Sequence, residues 1–150
     1  MDENVIEWAT AISRHKSNER VIIWRFAKAL NPAFELESLP WRVILAWKYE
    51  SENGQPVTEV HQQMNLLEDL LEPICDQGKF ATLALASTGE NLREWTYYTR
   101  SDDEFVDRLN MALYGEPVFP FEIHTANDPT WSMYRKFKVG VVDKSNKDSN

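Results

Sequence analysis

The ten residues that decide the fold are Trp41-Arg42-Val43-Ile44-Leu45-Ala46-Trp47-Lys48-Tyr49-Glu50. Trp41, Val43, Leu45, Trp47 and Tyr49 alternate with Arg42, Ile44, Ala46, Lys48 and Glu50. A period of two belongs to a β-strand, whose successive side chains point to opposite faces, so the aromatic set faces a core. Pro40 precedes this strand, and Glu52-Asn53-Gly54-Gln55-Pro56 turns the chain after it. Over residues 57–76 the period changes. Val57, Val60, Met64, Leu67, Leu71 and Ile74 recur at steps of three and four, which is the apolar stripe of a helix. Thr58 is the expected N-cap, with Glu59 beside the positive helix end. Pro73 lacks a backbone donor and ends or kinks the helix early, and Gly78 is its natural stop.

Downstream, residues 79–87 and 92–100 predict a hairpin around Thr88-Gly89-Glu90-Asn91. Ser101-Asp102-Asp103-Glu104 fits a capping box opening a helix that carries Phe105, Leu109 and Leu113 on one face and ends near Gly115. Residues 118–125 predict a strand with Phe119, Phe121 and Ile123 inward. Asp128-Pro129 suits the N-cap and first position of a short helix containing Trp131, Tyr134 and Phe137. On capping alone, loss of Asp128 would cost about 1 kcal/mol. Upstream, residues 5–14 and 20–29 predict two strands joined by the polar run His15-Lys16-Ser17-Asn18-Glu19. An amphipathic helix over residues 3–14 is the rival for the first of them. In the second, Arg25 is the sole polar residue on a face shared with Val21 and Ile23.

From residue 41 the order is therefore strand, helix, strand, strand, helix, strand. This predicts an α+β fold with a ferredoxin-like split βαβ core, an antiparallel sheet carrying two helices on one face. The N-terminal hairpin extends the sheet, and the short last helix packs at its end. One domain is expected over residues 1–142, followed by a disordered polar tail over 143–150.

Composition supports a folded domain: 43% of the 150 residues are hydrophobic and 12% aromatic, too apolar for a disordered chain. The formal charge is −8, from 24 acids against 16 bases. Such a surface repels nucleic acid and anionic lipid and suits a basic protein partner, although acidity also serves solubility alone. Tyr97 and Tyr98 share a strand, as do the base-stacking aromatics of RNA-recognition domains, but the domain as a whole is negative and nucleic-acid binding is not expected. Cys75 is the one cysteine, so there is no internal disulfide and no zinc cluster. No signal-peptide stretch follows Met1, and no run approaches the ~20 apolar residues of a membrane span. A reducing cytoplasm is the expected home.

The sequence carries no phosphate-cradling glycine loop, nucleophile elbow or Cys-His signature. His15, His61 and His124 include no i, i+4 pair of the kind that binds metal on a helix, so neither metal nor cofactor is expected. One polar cluster, Arg93, Glu94, His124, Asp128 and Tyr134, could do acid–base work if the fold drew it into a cleft. The structural alternative is that Asp128 caps a helix which Trp131 and Tyr134 dock. Glu68, Asp69, Glu72 and Asp76, with Asp102, Asp103 and Asp107, are expected to decorate the outer faces of the two predicted helices. A charge run is usually a solvated helix face. If these acids have a function, it is capture of a basic partner, and exchanging Glu68, Asp69 and Glu72 for Lys should leave the fold intact.

Three segments together carry a family resemblance. They are Gly54-Gln55-Pro56 leading to Leu66-Leu67-Glu68-Asp69-Leu70-Leu71, then Thr88-Gly89-Glu90-Asn91-Leu92-Arg93-Glu94-Trp95-Thr96-Tyr97-Tyr98, then Asp128-Pro129-Thr130-Trp131-Ser132-Met133-Tyr134. In order and spacing they resemble an uncharacterised bacterial family, domain of unknown function 695, from roughly Trp8 to Phe137. The resemblance implies a ferredoxin-like domain, sometimes joined to a module like the protein regulator of a ribonuclease, and it transfers no catalytic residue. The expected function is a non-catalytic acidic protein-binding module, a regulator or inhibitor of a basic partner such as a toxin-neutralising immunity protein. The alternative is an enzyme or small-ligand-binding domain using the cluster around Asp128.

Overall fold

The computed structural model describes residues 7–14, 20–29 and 36–148. The chain runs β1 (Glu7–Arg14), β2 (Val21–Ala29), β3 (Trp41–Lys48), α1 (Thr58–Leu71), β4 (Ala81–Gly89), β5 (Leu92–Thr99), α2 (Asp102–Ala112), β6 (Phe121–Asn127) and α3 (Ser132–Asp148). The six strands form one sheet in the order β1-β2-β4-β5-β3-β6, and each pair of neighbours is antiparallel. β3 and β4 both run antiparallel to β5, which lies between them, so they are parallel to each other and α1 crosses over to connect them. Residues 7–14 are thus a strand, not part of the rival helix. The loop expected at His15–Glu19 lies outside the described residues.

Alternation in β3 does what its period requires. Val43, Leu45, Trp47 and Tyr49 join Trp95 and Tyr97 of β5 in the main core, under Met64, Leu67 and Leu71 of α1 and Phe105 and Leu109 of α2. Both helices therefore cover one face of the sheet. Phe119 is buried in that core, with Phe121 and Ile123 of β6 packed against it.

Local chemistry sets the element ends. α1 stops at Leu71, and Glu72–Gly78 tightens into a 3₁₀ segment with Pro73 at its start. The N-cap of α1 is Val57, which makes no side-chain cap bond, so Thr58 is the first helical residue instead of the expected cap. The β4–β5 turn is tighter than expected. Glu90 and Asn91 have φ of 52° and 65°, the two positive values that a type I′ hairpin turn demands. Gly89 just before it has no space for a side chain, because a Cβ would stand 2.4 Å from the Val21 carbonyl oxygen. At α2, the Ser101 hydroxyl accepts from the Glu104 amide at 3.1 Å, half of the expected box. The Glu104 carboxylate turns instead to Arg108, one helical turn on.

The last helix departs most from expectation. It begins at Ser132, after a turn at Pro129 and Thr130, and packs on the opposite face of the sheet. There Trp131 stacks on Tyr98 with ring centroids 4.2 Å apart and planes 8° from parallel. Phe137 packs on Trp24 and Phe26 of β2. The reason lies in the strands: β5 turns Trp95 and Tyr97 to the main core and Tyr98 to the other face, where β2 adds Trp24 and Phe26, so the second face needs a cover. α3 also continues to Asp148, into the stretch assigned from its polarity to a tail. Polarity by itself does not stop a helix, and no proline interrupts residues 132–148.

Candidate functional site

The predicted polar cluster does not assemble. Arg93 and Glu94 are consecutive on β5 and point to opposite faces: Arg93 bonds Glu68 of α1, whereas Asp128 binds Tyr98 on the α3 side. His124 is exposed on β6 and pairs at 3.3 Å with Glu122. The Tyr134 hydroxyl donates to the Ala27 carbonyl. Neither Asp128 nor His124 lines either of the two cavities described below.

Asp128 is instead a buried structural hub. It is 5% exposed and sits where β6 ends. Its Oδ1 accepts from the Ser132 amide at 2.8 Å and the Ser132 hydroxyl at 2.7 Å. Its Oδ2 accepts from the Tyr98 hydroxyl at 2.7 Å, the Met133 amide at 3.3 Å and the Arg42 guanidinium at 3.2 Å. Burial by itself would raise the carboxyl pKa, but the bonds from Ser132, Tyr98 and the amides outweigh it and hold the value at about 2. Burial and the bond to Asp128 push the Tyr98 phenol the other way, upward. Asp128 thus caps α3 as foreseen, but from outside the helix, through a turn that sets Trp131 at φ 55°. A bulky residue in the left-handed region is strained, and three contacts hold this one: its amide to the Asp128 carbonyl, its indole to the Leu39 carbonyl, and the Tyr98 stack. A carboxylate so fully satisfied, with its pKa near 2, is a poor general base at neutral pH.

The acids singled out along the helices split into two roles. Glu68, expected on the outer face, turns inward. Its Oε1 accepts from Trp95 Nε1 at 2.9 Å and from Arg93 at 3.4 Å, and it forms a close ion pair with Arg25 of β2. Two inward-facing guanidiniums require a carboxylate, and this draws Glu68 off the outer face. Exchanging Glu68 for Lys would therefore not leave the fold intact. Asp69, Glu72 and Asp76 are exposed as expected, as are Asp103 and Asp107, whereas Asp102 is half-buried.

With Glu68, Asp69 of α1 and Glu72 and Asp76 of the 3₁₀ segment after it line a cleft of about 850 Å³ beside the β1–β2 hairpin. The facing wall is Trp8, 41% exposed, whose ring lies 5.5 Å from the Arg25 guanidinium. Leu83 and Tyr97 also line the cleft. Cys75 does too, but its thiol is buried, and burial together with Glu72 pushes its pKa up to about 12. Asp102, Asp103 and Asp107 take no part in this cleft.

Arg25 also lines a second cavity, of about 460 Å³, with Arg93, Gln55, His61 and Asn65. Arg93 is 5% exposed and lies with its guanidinium 4.8 Å over the Trp95 ring. Burial lowers its pKa, the Glu68 carboxylate opposes that shift, and Arg25 reinforces it. The Gln55 side-chain amide donates to the Val21 carbonyl at 2.8 Å and ties the turn before α1 to the hairpin. Arg25, Trp8 and Gln55 were not foreseen as site residues. The one available signal was Arg25, polar on an otherwise apolar strand face.

Fold and site together define a mixed α/β domain: a six-stranded antiparallel sheet, two helices and a flanking groove on one face, and a third helix on the other. Residues 7–138 match the model of a family of unknown function, DUF695, and the chain belongs to that family. No curated protein and no solved structure matches it. Among the described residues, no helix is long and apolar enough to cross a membrane, and no group of His, Cys, Asp and Glu is arranged to hold a metal ion.

Proposed function

We propose that this protein is a non-catalytic, acidic protein-binding module that regulates or inhibits a basic partner, and that the partner inserts a Lys or Arg into the cleft between α1 and the hairpin. The observation that carries this reading is the convergence of Asp69, Glu72 and Asp76 on one 850 Å³ cleft facing a half-exposed tryptophan. Four carboxylates line the cleft against one guanidinium, which favours a cation, and an indole face adds cation–π attraction. Neutralisation of a toxin or control of a nuclease is the sharpest form of the proposal, since such partners carry basic surfaces. The order β4-β5-β3-β6, with α1 and α2 crossing over one face, supports a ferredoxin-like split βαβ core extended by the β1–β2 hairpin. A free, buried Cys75 is consistent with a cytoplasmic setting. The second reading, catalysis or ligand binding around Asp128, has less support, because that carboxylate is saturated and its supposed partners lie apart.

The test is affinity capture from the native cell with quantitative mass spectrometry, comparing wild type with the Asp69→Lys/Glu72→Lys/Asp76→Lys variant. Basic proteins retained by wild type and lost by the variant are the expected result. Identical retention by both would remove the cleft from the binding surface.

A further inference from the structure

The second cavity has the opposite electrical character. Its walls include two guanidiniums, Arg25 and Arg93, and, among the described residues, no carboxylate, in a protein whose formal charge is −8. Arg93 is the unusual member. A guanidinium carries five N–H donors. Yet this one is 95% buried, and its sole hydrogen bond among the described residues is the 3.4 Å contact to Glu68. Its Nε is buried without an acceptor, and so is the Nε of Arg25. Glu68 is already committed to Arg25 and Trp95, so one carboxylate serves two cations. Leaving buried donors unmet is costly, and the cavity that both guanidiniums line offers space for an acceptor with several lone pairs and a negative charge. His61 and Asn65, one turn apart on α1, and Thr10 and Thr88 on the sheet add further polar groups, while Ile23 and Ala86 provide an apolar wall. At about 460 Å³ the cavity lies within the range of small-molecule sites, with room for more than the anionic group alone.

We propose that this cavity binds an oxyanion, the phosphate or carboxylate group of a small organic molecule, with Arg93 as the principal contact and Arg25 as the second. The site is separate from the acidic cleft. The two share Arg25 alone among their lining residues, and the Arg25–Glu68 ion pair stands between them. The groove along α1 is thus bipolar, anionic toward the C-terminal end of the helix and cationic toward its N-terminal end.

The experiment is a ¹H–¹⁵N NMR titration of the whole protein with inorganic phosphate and, separately, with acetate, each compared with sodium chloride at equal ionic strength. The Arg93 Nε–H signal and the backbone amides of Gln55, His61 and Asn65 are followed. Saturable shifts with either probe, absent with chloride, are expected. Phosphate alone, acetate alone or both would each support the site and define its class. Because Arg93→Gln also disturbs Glu68, the deciding variant is Thr10→Glu, which adds a carboxylate on an exposed strand and should weaken binding roughly tenfold or more. Shifts that match chloride, or a Thr10→Glu variant that binds as tightly as wild type, would overturn the proposal. Neither result depends on the basic partner, and the Asp69→Lys/Glu72→Lys/Asp76→Lys variant should still bind the probe.

Discussion

Replacing Asp128 by Ala removes five hydrogen bonds at once, and the expected loss of stability follows from them. The α3 amides of Ser132 and Met133 lose their cap, worth about 1 kcal/mol. The Tyr98 hydroxyl, buried beneath Trp131, loses its acceptor at an expected cost of about 1–3 kcal/mol. Arg42 loses its counter-ion but is partly exposed, so water offsets most of that loss. The total is about 2–4 kcal/mol, above the ~1 kcal/mol of a simple cap. The charge has its own signature. A carboxyl pKa held at about 2, against 3.8 when unperturbed, corresponds to about 2 kcal/mol of native-state preference for the ionised form. Because the folded pKa is depressed, that contribution is complete well above pH 4 and fades as pH falls toward 2. About half of it is gone at pH 3. The assay is urea unfolding followed by tryptophan fluorescence for wild type, Asp128→Ala and Asp128→Asn at pH 7 and pH 3. The gap between wild type and Asp128→Asn should narrow by about 1 kcal/mol from pH 7 to pH 3. A loss near 1 kcal/mol for Asp128→Ala, with a gap that does not change with pH, would refute the hub and leave only a cap.

Other expectations follow from the same contacts. Glu68→Gln should cost about 2–3 kcal/mol in urea unfolding, because it leaves Arg25 and the buried Arg93 without a counter-charge. Asp69→Asn, an exposed residue of the same helix, should change stability by less than about 0.5 kcal/mol, and an equal loss for the two would contradict the division of roles. Tyr98→Phe should cost about 1 kcal/mol, and the loss should shrink in an Asp128→Ala background because the two groups share a bond. Cys75 should resist iodoacetamide at pH 8 in the native protein and react promptly in urea, since burial pushes its thiol to about 12. Rapid native labelling would mean that the cleft opens to its floor.

Periodicity made most of the fold legible. β3, α1, the β4–β5 hairpin and α2 all carry a clean period of two or of 3.6, and each lies where that pattern predicts. What periodicity does not carry is which face of a sheet a later element covers. The residues Trp131, Tyr134 and Phe137 promise a docked helix, but Tyr98 and Trp24, on strands far off in sequence, decide that it docks on the second face. The site was legible only in part for a related reason. Asp69, Glu72 and Asp76 are visible as an acidic stripe, yet the wall facing them comes from Trp8 of β1 and Arg25 of β2, far earlier in the chain. Glu68 belongs to the same stripe by spacing and was separated from it by Arg25, Arg93 and Trp95, which no local pattern could connect. Asp128 was recognised as a cap from its proline neighbour. Its larger role needed Arg42 and Tyr98, contributed by two different strands.

The central claim is that the exposed carboxylates of the α1 cleft guide and hold a basic partner, and association kinetics test it most directly. With the partner recovered by capture, stopped-flow association rates would be measured for wild type and for Asp69→Lys/Glu72→Lys/Asp76→Lys across a salt series. Exposed charges act over a screening length of about 8–10 Å at ordinary ionic strength. Three charge reversals on one cleft should therefore slow association at least about tenfold at low salt, with the two rates converging as salt rises. Equal association rates at low salt, in a variant whose unfolding midpoint is unchanged, would contradict the account.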